Sequence, residues 1–268
     1  MAFMCQAQFF RRLNPYFKVN VMRINKIITL LLGVVFSQSQ TAHAEEPWTP
    51  VNGIPSMEKQ GANVTQNNQY LYLFGPGQSQ LNYLNIRLTD NTTTSQTVMY
   101  RGPGGQSSTT ATVNLGNFNW ALNGDSAIDS FRSSGTSNPQ RHLSLTGSKQ
   151  SSLTLNGKNF GMKLGGDVKL EISNLNGVTI SSPSGSTTPV GAAIAAVAAS
   201  NQQHVENVKL IVNSVNLLKI EGNVNHGVAS YGNNNISLTA DKILIHTDVA
   251  GKANNAISFN GLIVGSGN

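Results

Sequence analysis

Cysteine is almost absent from this sequence of 268 residues, because Cys5 is the only one. One thiol excludes a disulfide framework and a metal site built from several thiolates. Charged residues make up only 11% of the chain, whereas Asn, Ser, Thr and Gly are abundant. This composition is neither that of a charge-rich disordered tail nor that of an ordinary cytosolic enzyme. It is typical of an externally facing protein rich in β-structure.

The positive charge of the chain is concentrated near its amino terminus. The formal net charge is +6, from 18 basic and 12 acidic residues. Five basic residues and no acidic residue precede position 45: Arg11, Arg12, Lys18, Arg23 and Lys26. Positions 45–268 therefore carry 13 basic and 12 acidic residues, a net charge of only +1. Binding of nucleic acid by counterion release needs a dense basic patch, so we expect no nucleic-acid partner.

Residues 22–44 have the three parts of a secretory signal peptide. Arg23 and Lys26 form the basic start, and the apolar centre runs from Ile27 to Phe36. The small residues Ala42 and Ala44 flank His43, so we predict cleavage after Ala44. A membrane-spanning helix needs about 20 apolar residues, whereas this centre has only 10 positions. Cleavage after engagement of the export machinery at the inner membrane is therefore the better interpretation.

We divide the chain into three regions. Residues 1–44 are an extended N-region and signal peptide, with 22–44 as the core signal; translation begins either at Met1 or, more naturally, at Met22. Residues 45–142 are irregular and are interpreted as a β cap or a set of first coils. Residues 143–268 are interpreted as β-solenoid repeats. The only thiol leaves with the signal, so neither a cysteine nucleophile nor a lipoprotein anchor is expected in the mature chain.

Short alternating segments repeat from Leu143 onward. The first stretch of each repeat starts at Leu143, Val168, Val208 or Ile236. The second starts at Leu153, Val178, Leu218 or Ile243. The third starts at Gly161, Ala193, Gly227 or Ala256. The second repeat is longer than the others, and we attribute the extra length to one insertion, the loop Ser181 to Pro189.

Three short alternating strands cannot bury their apolar sides alone, because alternation puts one side of each strand inward. Stacking equivalent units buries a continuous core and pairs every strand with the one above it. The pattern therefore predicts an all-β fold, a parallel β-solenoid with three short strands per coil. Residue pairs ending in glycine fall at or near the predicted corners, where a positive φ is expected. They are Asn156-Gly157, Asn176-Gly177, Glu221-Gly222 and Asn260-Gly261.

The signal peptide, the cysteine-free body and the three-strand coils resemble the passenger domains of bacterial autotransporters. The resemblance covers residues 22–44 and 143–268 well and 45–142 weakly. It implies a right-handed parallel β-helix of the pectin-lyase type at the cell surface or outer membrane. Autotransporters end in an outer-membrane β-barrel that acts as a translocator, and this chain lacks that partner. We therefore expect a passenger fragment, with a periplasmic or secreted location as the alternative.

We recognise no catalytic constellation and predict no cofactor. Gly124-Asp125-Ser126 is similar to the nucleophile block of certain esterases, but no Asp-x-x-His partner occurs, so a turn is preferred. The histidines stand singly, as surface or turn residues: His142, His204, His226 and His246. His226 and His246 could meet on adjacent coils as a weak metal site. The acidic residues that could form a calcium-holding column, or equally solvated corners, are Asp167, Glu206 and Asp241.

Functions of different classes follow from this interpretation. The first is a non-enzymatic adhesive or structural scaffold whose loops, such as 181–189, meet surface molecules of a host or a neighbouring cell. The second is a carbohydrate-active enzyme of the pectin-lyase type, which depends on fold analogy alone. The third is an inactive periplasmic remnant. The missing catalytic constellation favours the scaffold over an enzyme.

Overall fold

The computed structural model describes residues 46–74, 81–100, 108–130, 140–183, 192–197, 207–232 and 234–247, and the backbone of two strands at 255–259 and 262–266. The predicted signal peptide, with Ala42 and Ala44, lies outside these residues. Within them the chain forms β-strands and no helix, so none of this part is a helix that could cross a membrane. The all-β prediction is confirmed. The strands are β1 (Thr49–Val51), β2 (Ile54–Gly61), β3 (Val64–Gln66), β4 (Tyr70–Leu73), β5 (Tyr83–Leu88), β6 (Thr92–Thr94), β7 (Thr97–Met99), β8 (Thr109–Asn114), β9 (Trp120–Asp129), β10 (Arg141–Thr146), β11 (Ser152–Gly165), β12 (Val168–Ser182), β13 (Ala192–Val197), β14 (Val208–Gly222), β15 (His226–Tyr231), β16 (Asn234–Thr247), β17 (Asn255–Phe259) and β18 (Leu262–Ser266).

Most strands stack in three columns of parallel strands. Column A contains β5, β8, β10, the first parts of β12, β14 and β16, and then β18. Column B contains β6, the first parts of β9 and β11, and the second parts of β12, β14 and β16. Column C contains β4, β7, the second parts of β9 and β11, and then β13, β15 and β17. The chain visits columns A, B and C in turn, which is a β-solenoid-like arrangement.

The coils are numbered by their column A strands, from coil 1 at β5 to coil 6 at β16. Before coil 1, β1 pairs with β2 and β3 pairs with β4, both antiparallel. Strand β2 also runs antiparallel to β5 and so covers the first edge of column A. An open edge is a template for unwanted pairing, and these strands remove it. Residues 46–142 therefore contain both a cap and two complete coils.

The predicted repeats are recovered in register, with one systematic shift. The second stretches align as predicted, because Leu153 pairs with Val178 and the later coils follow. The third stretches also align as predicted. The first stretches, however, are shifted by two positions in coils 3 and 6. Leu143 pairs with Leu170 and not with Val168, and Ile236 pairs with Leu210 and not with Val208. A shift of two residues keeps every side chain on its side of the strand, so alternation cannot detect it.

The long repeat contains two insertions, so the prediction of a single one was wrong. The corner between columns B and C spans 182–192 in coil 4 but only 222–226 in coil 5. The next corner, from column C back to column A, spans 197–208 after coil 4 but only 231–234 after coil 5. The second insertion has no glycine or proline in 198–207 to mark it as a loop in the sequence.

In coils 4 and 5 the positive φ at the corner between columns A and B is carried by Asn174 and Ser214, at 55° and 51°, whereas in coil 2 it is carried by Gly116, at 58°. Asn174 and Ser214 occupy the same place in coils 4 and 5, and the prediction that Gly157 and Gly177 would have a positive φ was wrong. Asparagine tolerates this conformation because its short amide can bond locally. The Asn174 amide donates to the Gly147 carbonyl of the preceding coil at 2.6 Å. Among the predicted glycines only Gly222 has a positive φ, at 154°, and Asn260-Gly261 lies outside the described residues.

The core lies between the three columns and is almost entirely aliphatic in coils 4 and 5. Strand β12 shows why: its side chains alternate between inward and outward positions on either side of one corner. The inward apolar residues of β12 are at most 3% exposed: Val168, Leu170, Ile172, Leu175, Val178 and Ile180. Burial of apolar area at about 25 cal/mol per Å² drives the stacking, since no single coil can shield its own inward side.

The charged side chain of Arg141 lies inside the solenoid. Arg141 is 1% exposed, and its guanidinium donates to the carbonyls of Tyr100 at 2.6 Å, Ser130 at 2.9 Å and Gly165 at 2.7 Å. These carbonyls lie at three successive corners between columns C and A. The Tyr100 hydroxyl donates to the His142 carbonyl at 2.8 Å, and burial raises the pKa of Tyr100 to about 12. Arg141 therefore ties neighbouring coils together through their corner carbonyls.

Asparagines tie the coils together where column B begins. The Asn91 side-chain oxygen accepts a hydrogen bond from the Asn119 backbone at 2.8 Å, and the Asn119 oxygen accepts one from the Ser152 backbone at 2.9 Å. Farther along, the Asn216 amide donates to the Asn176 oxygen at 3.1 Å. Part of the asparagine content of the sequence therefore stabilises corners.

Candidate functional site

The esterase-like segment Gly124-Asp125-Ser126 lies where β9 passes from column B to column C. Asp125 is exposed, but Ser126 is only 6% exposed. The Ser126 backbone donates to the Thr97 hydroxyl at 3.3 Å. A nucleophilic serine must be reachable by its substrate, and this one is covered. The segment therefore forms a corner within the continuous strand β9, where a turn had been predicted, and not an accessible nucleophile site.

The histidines do not converge. His226 begins its column C strand and pairs with Ala192 and Asn255, whereas His246 lies in column B and pairs with Glu221. The two histidines thus belong to adjacent coils but to different columns. Within the described residues, no three His, Cys, Asp or Glu side chains are grouped closely enough to hold a metal ion. His204 lies outside those residues.

The acidic residues do not form one column either. Asp167 lies at the corner between columns C and A, where its carboxylate accepts a hydrogen bond from the Asn207 backbone at 3.0 Å. Asp241 lies at the corner between columns A and B. Asp241 is exposed, as the solvated-corner alternative predicts, whereas Asp167 is buried at 9% exposure and differs from that alternative. Glu206 is outside the described residues.

A small charged cluster lies on the outer side of column A. Lys169 Nζ is 2.8 Å from Glu171 Oε2, and His142 Nε2 is 3.7 Å from the same oxygen. The hydrogen bond from Lys169 lowers the pKa of Glu171, while burial and the nearby Lys169 charge lower the pKa of His142. At neutral pH the cluster therefore holds an ionised carboxylate and an uncharged imidazole. A depression of about 320 Å³ beside it is lined by Gln140, Arg141, His142, Asp167, Val168, Lys169, Asn207 and Lys209.

A larger depression, of about 630 Å³, lies where column B ends, and we call it the polar groove. Its floor is a ladder of outward side chains on successive coils, because Asn156 pairs with Ser181, Ser181 with Glu221, and Glu221 with His246. The complete lining is Asn156, Ser181, Pro183, Glu221, Gly222, Asn223 and His246. Most of these residues carry amide, hydroxyl, carboxylate or imidazole groups.

Hydrogen bonds orient the first part of this ladder. The Asn156 amide donates to the Asn123 side-chain oxygen at 3.1 Å, and the Ser181 hydroxyl donates to the Asn156 oxygen at 3.1 Å. Farther along, Lys219 Nζ is 2.7 Å from Glu221 Oε2. The groove is therefore a preorganised polar surface, and its one carboxylate has a compensating cation.

Sequence reasoning noticed Asn156 and Glu221 only as corner residues and did not assemble the groove. The signal was present in the aligned second stretches, which start at Leu153, Val178, Leu218 and Ile243. The position three residues later in each stretch is a groove residue. Aligning the outward positions as well as the inward ones would have placed these polar side chains side by side.

In comparisons with known proteins, no family model, no curated protein and no solved structure matches this chain. The autotransporter resemblance therefore stays a prediction.

Proposed function

We propose that this chain is an exported cell-surface protein, similar to an autotransporter passenger, that acts as a non-enzymatic adhesive or structural scaffold. The observation that carries the proposal is the three-column parallel stacking of successive coils. In the sequence, this body follows a segment with the three parts of a secretory signal, at 22–44. Export machinery and surface molecules of a host or a neighbouring cell are the proposed partners.

The right-handed form of the parallel β-helix is part of this proposal. Successive strands of one column are parallel and are joined through the other two columns. A connection between parallel strands of one sheet is right-handed in about 98% of cases, because right-twisted strands pack back onto the sheet only in that way. The same physical preference applies to these coils.

A scaffold function is consistent with the different roles of inward positions, which form the core, and outward positions, which form the surface. Coils 4 and 5 keep the same inward residue at Leu170 and Leu210, but the adjacent outward positions change from Glu171 to Ile211. Outward side chains can therefore vary without loss of the core. The loop at 181–189 begins beside the polar groove, since Ser181 and Pro183 line it. Residues 184–189 of this predicted contact loop lie outside the described part of the chain.

Export is tested by expressing the full chain with a carboxyl-terminal tag in a Gram-negative host. We expect a processed product that begins at Glu45, identified by mass spectrometry of its amino-terminal peptide. Ala44→Tyr should block processing, because the cleavage site requires a small residue. Ala7→Tyr, upstream of the predicted core signal, is the matched control and should be processed normally. Recovery of only the full-length chain in the cytoplasm would refute the proposal.

A further inference from the structure

We propose that the polar groove binds a linear, uncharged glycan that lies across successive coils. This inference deepens the proposed surface function and rests on it. The groove is a depression of about 630 Å³, and no motif in the sequence assigns it a role.

The repeat distance suits a linear polymer. The ladder through Asn156, Ser181, Glu221 and His246 crosses four coils along the solenoid axis. Neighbouring strands lie about 4.8 Å apart, which is close to the length of one sugar ring in an extended chain. A glycan along the axis would therefore meet a new polar side chain at each sugar.

The ladder has hydrogen-bonding capacity left for a ligand. Asn156 and Ser181 are oriented by their bonds to each other and to Asn123. An amide oxygen and a hydroxyl each have two lone pairs, so these bonds leave acceptor positions unused. Because the side chains are already held in place, binding would cost less conformational entropy than ordering free side chains.

The strands beneath the groove argue against an added peptide strand. Strands β12 and β14 are paired on both sides by neighbouring coils, so their backbone groups are already used. Recognition of an extended peptide by strand addition needs an open edge. Recognition in the groove must therefore come from side chains, which favours a ligand that presents hydroxyl groups along its length.

The charge of the groove favours a neutral ligand. The Glu221 carboxylate is compensated by Lys219 at 2.7 Å, so the pair presents little net charge. The carboxylate would repel an anionic polymer, and the lysine would repel a cationic polymer. Because most of the lining is polar, an apolar ligand would also leave hydrogen-bonding groups without partners.

The test is isothermal titration calorimetry of the purified full chain with single hexasaccharides. The neutral probes are cellohexaose, maltohexaose, laminarihexaose and N-acetylchitohexaose, and the anionic probe is hexagalacturonate. We expect at least one neutral probe to bind with a Kd of about 1 mM or lower. The double variant Asn156→Ala/Glu221→Gln should weaken that binding by about tenfold or more, since each lost hydrogen bond is worth a factor of about three to ten.

A matched control separates binding from folding. Ser144→Ala/Ser237→Ala changes two outward positions of column A and should leave the Kd unchanged. Circular dichroism checks that all variants are folded; if the double variant is not, Ser181→Ala alone should still weaken binding by about threefold. The inference is overturned if no neutral hexasaccharide binds, if only hexagalacturonate binds, or if folded groove variants bind as tightly as the parent chain. These outcomes are independent of signal processing, so each proposal can fail alone.

Discussion

The inward ladder at the start of column A differs between successive coils of the solenoid. It holds Thr109 and Arg141 in coils 2 and 3, Val168 and Val208 in coils 4 and 5, and Asn234 in coil 6. All five residues are at most 4% exposed. The stacking therefore fixes the backbone register of this position but not its chemistry. A polar side chain is compatible with the core when corner carbonyls lie within reach, as they do around Arg141.

The same contrast extends to the rest of the core. Coils 1 to 3 and their corners bury hydroxyl groups at several positions: Thr92, Thr94, Thr97, Thr109, Ser126, Ser130 and Ser151. Within β12 and β14 the inward positions of coils 4 and 5 are Val, Leu and Ile, apart from Ser182 at the end of β12. We infer that coils 1 to 3 depend more on directional hydrogen bonds, whereas coils 4 and 5 depend more on burial of aliphatic surface.

The largest effect is expected from Arg141→Met. The variant removes three hydrogen bonds from buried carbonyls, so we expect the free energy of unfolding to fall by about 3–5 kcal/mol. Leu170→Met is the control from the aliphatic half, where a volume-conserving change should cost less than about 1.5 kcal/mol. Urea denaturation of both variants measures the difference. Equal losses would show that the guanidinium bonds add nothing to coil stacking.

The second effect is a loss of stability at high pH through Tyr100. Burial raises the pKa of Tyr100 to about 12 from 10.0, so the unfolded chain loses this proton first. The contribution of Tyr100 to the free energy of unfolding is therefore fully present below pH 10. It is lost as the pH rises towards 12, which lowers the free energy of unfolding by about 2–3 kcal/mol.

The Tyr100→Phe variant tests this pH dependence. In this variant the free energy of unfolding, measured by urea denaturation, should no longer show the fall between pH 10 and 12 that Tyr100 causes. The variant also loses the hydrogen bond from the Tyr100 hydroxyl to the His142 carbonyl. Tyr72→Phe in the cap is the control that keeps Tyr100. An unchanged slope in Tyr100→Phe would mean that another group controls alkaline unfolding.

Much of the coil architecture could be predicted because aliphatic alternation survives in the sequence. Segments 168–180 and 208–220 pair residue for residue, as predicted. The third stretches were also aligned despite the small residues Gly161 and Ala193. In coils 1 and 2 the inward positions include threonine and tryptophan, so the same backbone geometry leaves no comparable pattern. A hydrophobic period can be seen in the sequence only where apolar side chains recur at the inward positions. Strands can pair in the same register without such a recurrence.

The features that were missed depend on contacts between coils. Alternation with Leu143 and Leu145 puts Arg141 on the inward side, but the sequence does not show how its charge is accommodated there, because its acceptors come from three different corners. The polar groove likewise exists only when Asn156 and Glu221 are brought together through Ser181. The predicted glycine corners were wrong in part because asparagine and serine can supply a positive φ at these corners.

A third prediction compares two glycines that look equivalent in the sequence. A Cβ at Gly157 would overlap the Phe160 carbonyl, whereas the nearest atom to one at Gly177 is the Ser152 hydroxyl at 3.4 Å. Gly157→Ala should therefore cost about 1–3 kcal/mol through overpacking. Gly177→Ala should change the free energy of unfolding by less than about 0.5 kcal/mol. Urea denaturation measures both, and equal costs would contradict the close-approach explanation.

The smallest effect separates two buried threonines of the same short strand in coil 1. The Thr94 hydroxyl has no hydrogen-bond partner among the described residues and is buried at 3% exposure. Thr92 is equally buried, but its hydroxyl bonds Ser56 Oγ at 2.9 Å. Thr94→Val should therefore raise the free energy of unfolding by about 1 kcal/mol, whereas Thr92→Val should lower it by a similar amount. Equal destabilisation would mean that ordered water satisfies Thr94, and the polar half of the core would then be fully hydrogen-bonded at this strand.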